Sequence, residues 1–535
     1  VVVDPGWRVT QARGCWVLVD ESPLEAVTGK DFDPVETSVF GSQIGGIADQ
    51  MGLQLQRLAR SVSIRERLDF SCAVFDAEGQ LAANAPHVPV HLGAMGETVR
   101  DLLAREPRRL MPGTFWVSND PYHGGSHLPD ITVMAPVFGE SGARIGFVAA
   151  RGHHVDVGGS RPGSMPADAR SIDEEGFVLR NHCLVDNGVL QVPDLPGCRQ
   201  PAEVTADLEA QVAACATGIA ALGTLAAQVG EVVFGAQLGH LRTVARVGVE
   251  GVLARLSEGG PRTLRAREVM DDGTEITVRL DVDGPTAHVW VGGPAHPGNR
   301  NAPTAVGRAA LLYVLRCLLD AEVPLNEGAL GPVELTVEPG GLFDPCWPRA
   351  VAGGNVETSQ RLVDALLSAV GACAASQGTM NNVTIGFPNG SWYETVAGGA
   401  GAGPGFEGGS AVQVHMTNTR ATDVEVLERR FPVVLRQHRL RRHSGGGGRQ
   451  RGGDGVVKEW EFWAPVEISI MAERRAAGAP GADGGEPGLP GREDAFVDGA
   501  WVPVDRTVSL GVGGRLRLCT PGGGGWGRAQ DPRVR

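Results

Sequence analysis

The chain has 535 residues, 42% hydrophobic and 21% charged, with 48 Lys and Arg against 62 Asp and Glu for a net charge of −14. That length exceeds what one hydrophobic core serves and calls for two or more packed subdomains, and interspersed charge with an acidic excess argues against nucleic acid, which selects basic surfaces. The nine cysteines show no C-x-x-C spacing, so neither a zinc ribbon nor a disulfide scaffold is indicated and reduced, mostly buried thiols are expected.

No basic stretch followed by an apolar core opens the chain, so no signal peptide is read and a cytoplasmic protein is expected. Val39 to Ser63 places Ile44, Ile47, Met51, Leu55 and Leu58 at helical spacing, and Ser61 to Phe75 leads into a strand ending at the turn Asp76-Ala-Glu-Gly79. Asn84 to His91 interleaves His87 and His91 with two prolines, which predicts an extended loop. Either imidazole suits a place behind a metal ligand, or a bond to a backbone carbonyl in a structured loop. Gln211 to Gly230 is uncharged but rich in Ala, Gly and Thr, which fits a tightly packed helix better than a bilayer span, so no membrane is expected.

Ala206 to Leu256 reads as a helical hairpin, and Thr263 to Val291 as antiparallel strands turning at Asp272-Gly and Asp283-Gly. Pro303 to Asp320 and Glu357 to Ala375 are amphipathic helices. In front of the second, Gly353-Gly354-Asn355 offers either free N–H groups to a phosphate or substrate carboxylate, or a helix capped by Asn355. Glu357 and Gln360 at the same end read as capping and solvated groups. The glycine-rich stretches at 398–405, 444–448, 452–453 and 522–525 lack the Lys-Ser/Thr of a phosphate loop and read as tight turns or close-packed backbone. Together these elements predict an α+β fold: a multi-layer mixed α/β subunit with antiparallel sheets, a helical hairpin and Gly-rich loops.

The chemistry concentrates in Val117-Ser-Asn-Asp-Pro-Tyr-His-Gly-Gly-Ser-His-Leu-Pro-Asp130 and Arg151-Gly-His-His-Val-Asp-Val-Gly-Gly159. Imidazole with carboxylate suits a divalent ion such as Zn, Mn, Fe or Mg, and two His with one Asp leave coordination positions open for water or substrate. His127 and Asp130 flank Pro129, in a rigid loop or at a strand entrance. A third ligand comes from His153 or His154; adjacent side chains of an extended chain face opposite ways, so one of the two reaches the ion, with His153 favoured. Asp120 or Asp156 would orient a ligand or act as a base. Arg420 suits a substrate carboxylate, although Asp423, Glu425 and Glu428 could pair with it instead. No G-x-S-x-G elbow appears and no cysteine lies near the His-rich segment, so metal-activated water is favoured over a covalent mechanism.

The runs SNDPYHGGSHLPD, RGHHVDVGGSRPGSMP, GGNVETSQRLVDALL, SQGTMNNVTIG, WYETVAGGAGAGPG, HMTNTRATDVEVLERRFPV and TPGGGGWG resemble, in this order, the hydantoinase B/oxoprolinase family from about Asp33 onward. Within it they are most similar to the C-terminal half of the eukaryotic ATP-dependent 5-oxoprolinases. Residues 1–30 resemble the end of a preceding hydantoinase A-like domain, leaving 31–535 as the B-like domain with a helical and β sub-lobe at about 200–295. The resemblance implies a two-part enzyme whose A-like half, as partner domain or subunit, binds ATP-Mg, while the B-like half holds a divalent metal through an Asp and two His. Those ligands fall on His127, Asp130 and one of His153 and His154.

The implied reaction is ATP-dependent hydrolysis of the cyclic amide 5-oxo-L-proline to L-glutamate, with this half inactive alone and a homo-oligomeric assembly expected. The alternatives are a B-like subunit of a hydantoinase or ketone carboxylase, and a non-catalytic scaffold. One departure stands out: where the family carries Arg-Asn and a later Asn, this chain has Arg199-Gln200 and Glu203-Val204. That difference bears on specificity if those asparagines shape the substrate pocket.

Overall fold

Asp33 starts the first long helix, its carboxylate accepting the N–H groups of Val35 at 2.7 Å and Glu36 at 3.0 Å with Pro34 in the first turn. The helix runs Pro34–Leu58 and not to Ser63, because Ser61 caps a separate turn, Val62–Arg65. The computed structural model describes residues 7–12, 15–20, 32–85, 87–319, 325–388 and 390–529. Of the proposed A-like tail, only the paired strands Trp7–Ala12 and Cys15–Asp20 are described, and the rest of that expectation lies outside the described residues.

A seven-stranded antiparallel sheet carries the site. Its strands lie in the order Leu81–Asn84, Phe70–Phe75, Arg144–His153, Asp130–Phe138, Phe115–Ser118, His182–Asp186 and Val189–Leu190. The central strands are buried on both faces, which explains their continuous apolar runs. Pro34–Leu58 and the helix Pro201–Val229 share one hydrophobic core with the sheet, while Met95, Val99 and Leu102 of the helix Ala94–Arg105 form another with Phe75, Trp116, Met134 and Phe147.

Pro201–Val229 is long and apolar enough to cross a membrane by length and composition. Here it buries Leu208, Ala214, Cys215, Gly218 and Leu222. Its small residues allow close approach, since a Cβ on Gly218 would lie 2.5 Å from Met51 Sδ. Buried Gln211 donates from Nε2 to the carbonyls of Ile131 at 2.8 Å and Ala150 at 2.7 Å.

Gly230, at φ 86°, turns the chain into the helix Glu231–Leu256. The meander Arg262–Val269, Glu275–Asp283, Thr286–Gly292 follows, joined in parallel by Val333–Val337. Its inner side chains share a core with the helices Thr304–Cys317 and Ser359–Ala369. Two further antiparallel sheets, of four and five strands, enclose Trp392, Trp460 and Phe462, with Lys458 buried and paired to Glu394.

The glycine-rich stretches are close-packed backbone. Gly453 N–H donates to Ala400 O, Gly523 N–H to Gly453 O and Gly446 N–H to Gly523 O. A Cβ on Gly399, Gly453 or Gly523 would stand 2.0, 1.9 or 1.9 Å from a neighbouring carbonyl oxygen, so no other residue fits. The thiols depart from expectation. Among the described residues they are free, but only Cys72, Cys215 and Cys519 are buried, while Cys317 at a helix end and Cys346 in a loop are exposed.

Candidate metal centre

The site forms where the two central strands meet at one end of the sheet. Asp130 pairs with His153 in the antiparallel register, and cross-strand partners project to the same side. His127 joins them from the preceding turn, in which the Asp130 N–H donates to its carbonyl at 3.0 Å. His127 Nε2 lies 3.0 Å and His153 Nδ1 3.4 Å from Asp130 Oδ1. All three side chains are 1–2% exposed.

Among the described residues, His127 Nδ1 and Nε2, Asp130 Oδ1 and His153 Nε2 are buried without a hydrogen-bond partner. Orphaned buried donors and acceptors are costly, so such a cluster calls for something to bind. One ligand atom from each residue falls within 4.8 Å of the others, a grouping that could hold a metal ion. Donors sharing one ion at about 2.1 Å stand about 3.0–3.4 Å apart, which these separations match. The residues therefore fit a divalent ion. Burial lowers the pKa of the His127 imidazole, against the raising effect of Asp130 beside it. Burial alone would raise Asp130, but His127 and His91 overcome it and hold the carboxyl well below the usual range, and so anionic.

The cavity they share measures about 20 Å³, room for an ion or a single water. Its wall includes Asp69, His91, Asn355, Met380, Tyr393 and Thr417. The Tyr393 ring stacks on His153 at 4.6 Å, and its hydroxyl donates to Asn382 Oδ1 at 2.7 Å. Asp69 and Tyr393 carried no local signal: each arrives from its own strand or loop, and only the assembled fold brings it here.

His154 turns the other way. Its Nε2 meets Gln211 Oε1 at 2.9 Å, beneath the helix Pro201–Val229. Asn84–His91 is not extended throughout: Pro89–Leu92 forms one helical turn, with Pro89 at its start where the missing N–H costs nothing. His91 enters the site, with Nε2 3.2 Å from Asp130 Oδ2. His87 does not line it. Its Nδ1 accepts the Cys72 N–H at 3.0 Å, and burial together with His91 lowers its pKa to about 4.

The helix expected from Glu357 begins earlier, with a π turn over Gly354–Thr358, and ends at Ala369. Asn355 is therefore inside the helix and not its cap. A Cβ on Gly354 would fall 1.8 Å from Asn301 O, which explains the glycine. The N–H groups of Val351 and Ala352 are taken by the buried carboxyl of Glu175, and those of Gly354 and Asn355 by backbone carbonyls, so these four are not open to an anion. Glu357 and Gln360 are fully buried, not solvated: Glu357 Oε1 accepts from Asn382 at 2.7 Å, and Gln360 donates to Val414 O at 3.1 Å.

Three other candidates stand outside the cavity. Asp120 caps the turn Pro121–His123 and meets His123 Nδ1 at 2.6 Å; His123 lines a separate groove of about 880 Å³. Asp156 accepts backbone N–H groups, from Gln200 at 2.6 Å and from Arg199. Arg420 is exposed, its backbone N–H donating to Arg67 O at 2.9 Å.

A family model described as hydantoinase B/oxoprolinase matches residues 33–529. The chain belongs to the hydantoinase B/oxoprolinase family. It is 44% identical over 529 residues to 5-oxoprolinase 1 of Arabidopsis thaliana, an alignment covering 92% of this chain and 42% of the plant protein. The chain thus spans less than half the length of that relative. It is 32% identical over 517 residues to an uncharacterized protein of Methanocaldococcus jannaschii, covering 92% of this chain and 91% of the archaeal one. The fold is similar to that of an ATP-dependent caprolactamase from Pseudomonas jessenii, with TM-score 0.84, 24% identity and coverage of 93% and 92% of the two chains. Gln200 and Glu203 line a different cavity of about 150 Å³ with Trp392 and Arg430.

Proposed function

We propose that this chain is the B-like part of an ATP-dependent 5-oxoprolinase, hydrolysing 5-oxo-L-proline to L-glutamate with a hydantoinase A-like partner that binds ATP-Mg. The observation that carries the reading is the buried His127–Asp130–His153 cluster with its unpartnered ligand atoms, in a chain 44% identical to a plant 5-oxoprolinase. His127, Asp130 and His153 would hold a divalent ion; when bound, it lowers the pKa of water or polarises a carbonyl. The unstrained lactam is a poor electrophile, so activation by phosphoryl transfer from ATP in the partner precedes addition of water and departure of phosphate and the ring nitrogen.

Within this chain, Asn355 Oδ1 is buried on the wall of the cavity with no partner among the described residues, which supports a substrate-contacting role for this residue. Tyr393 and Met380 close the wall and exclude bulk water. Residues 1–30 are assigned to the tail of the A-like half and 31–535 to the B-like domain, in a cytoplasmic homo-oligomeric assembly.

The test is reconstitution. Alone, the chain should neither hydrolyse ATP nor open the ring; with its A-like partner it should release glutamate and phosphate together, and Asp130→Ala should abolish glutamate release. Micromolar ATP binding to the isolated chain by calorimetry would put the nucleotide in the wrong half. ATP-dependent carboxylation of a ketone, or opening of a hydantoin in place of oxoproline, would replace the substrate assignment.

A further inference from the structure

We propose that His91 and Ser126 hold Oδ2 of Asp130 so that the carboxylate meets the metal through Oδ1 alone, keeping a coordination position open. The inference rests on the reading that this site holds a metal, and it sets how the metal is held.

The geometry separates the two carboxylate oxygens. Oδ1 faces His127 and His153 and has no hydrogen-bond partner among the described residues. Oδ2 is engaged twice, by the Ser126 hydroxyl and by His91 Nε2 at 3.2 Å. The hydrogen-bond directions follow from chemistry. An ionised carboxylate only accepts, so the nitrogen facing it must carry the proton, which makes His91 the Nε2–H form. Its Nδ1 is hydrogen-bonded to the Ser71 hydroxyl at 2.9 Å, which fixes the ring. Ser126 is fixed in the same sense: Arg151 NH1 donates to its oxygen at 3.3 Å, leaving its O–H to point at Asp130. Arg151 is itself fully buried, held by Thr132 at 2.7 Å and Thr98 at 3.0 Å.

A carboxylate with both oxygens free can chelate an ion; one whose second oxygen already accepts the Ser126 hydroxyl and lies against His91 Nε2 cannot do so without breaking those contacts. His91 is therefore a positioning residue, acting through Asp130. In a cavity of about 20 Å³, a second oxygen on the ion would take the place a water or substrate atom needs.

The experiment uses the full chain with Zn(II), competed against a chromophoric chelator, and with Co(II), whose visible absorption weakens as coordination number rises. His91→Ala should weaken Zn(II) binding about 10–100-fold, as for other outer partners of metal ligands, and lower the Co(II) absorption. His91→Gln, whose amide N–H can reach Oδ2, should restore most of both. Ser71→Ala should give a smaller loss in the same direction. Wild-type affinity and spectrum in His91→Ala would overturn the proposal, as would His91→Gln behaving like His91→Ala while both keep the wild-type circular dichroism. Wild-type protein that binds neither ion overturns the metal reading itself, and the clamp with it.

Discussion

The adjacent histidines at the end of the strand Arg144–His153 should respond to truncation in opposite ways. His153→Ala removes a buried side chain whose Nε2 has no partner among the described residues, so on the proposed reading it takes away a ligand and leaves little else unpaired apart from its stacking on Tyr393. His154→Ala takes the partner from Gln211 Oε1, while Gln211 Nε2 keeps its bonds to Ile131 and Ala150. One buried acceptor left unsatisfied costs about 1–3 kcal/mol. The metal should contribute about 2.7 kcal/mol at a free concentration 100 times its Kd. The expected result is thus a lowered Tm for His154→Ala that still rises on adding Zn(II), with near-stoichiometric metal by elemental analysis. For His153→Ala, the Tm should no longer respond to Zn(II) and metal content should fall sharply. Metal loss in His154→Ala with retention in His153→Ala would refute the assignment, and equal mild losses would mean that neither is a ligand.

Burial raises the pKa of Glu357 from 4.5 to about 8, so the folded state binds a proton there that the unfolded state releases. Its stabilising contribution is complete below about pH 4.5, falls as pH rises and is gone above about pH 8; the urea midpoint should therefore drop less between pH 5 and 8.5 in Glu357→Gln than in wild type, and parallel profiles would contradict this. Gly354→Ala should cost more than about 3 kcal/mol, because its Cβ would overlap Asn301 O at 1.8 Å, whereas Gly223→Ala, with open space at its Cβ in the helix Pro201–Val229, should stabilise by up to about 1 kcal/mol. Denaturation midpoints that rank these two variants otherwise would show the backbone packing to be misread.

Elements built on short-range signals were legible in the chain itself. Ile44, Ile47, Met51 and Leu55 recur at helical spacing and are buried, and the turns at Asp272-Gly273 and Asp283-Gly284 join strands whose buried residues alternate. The spacing of His127 and Asp130 around Pro129 marked the site for the same reason: a tight turn brings near neighbours together whatever the rest of the fold does. The glycine-rich stretches could be denied a phosphate loop from their residues, yet why they are glycine depends on backbones far apart in sequence, such as those of Ala400 and Gly523, meeting at van der Waals limits.

What tertiary structure alone decided was direction and company. Extended geometry says that His153 and His154 point opposite ways; only the pairing of Asp130 with His153 says which one faces the carboxylate. Asn355 could be read as a cap until Glu175, brought from 177 residues before Ala352 in the chain, took the N–H groups of Val351 and Ala352 and the helix started upstream of Asn355. His91, Asp69 and Tyr393 join the site through strand order and helix packing. Periodicity records which side of an element is buried; it carries nothing about which other element does the burying, and the charge, tautomer and free valences of the site depend on that.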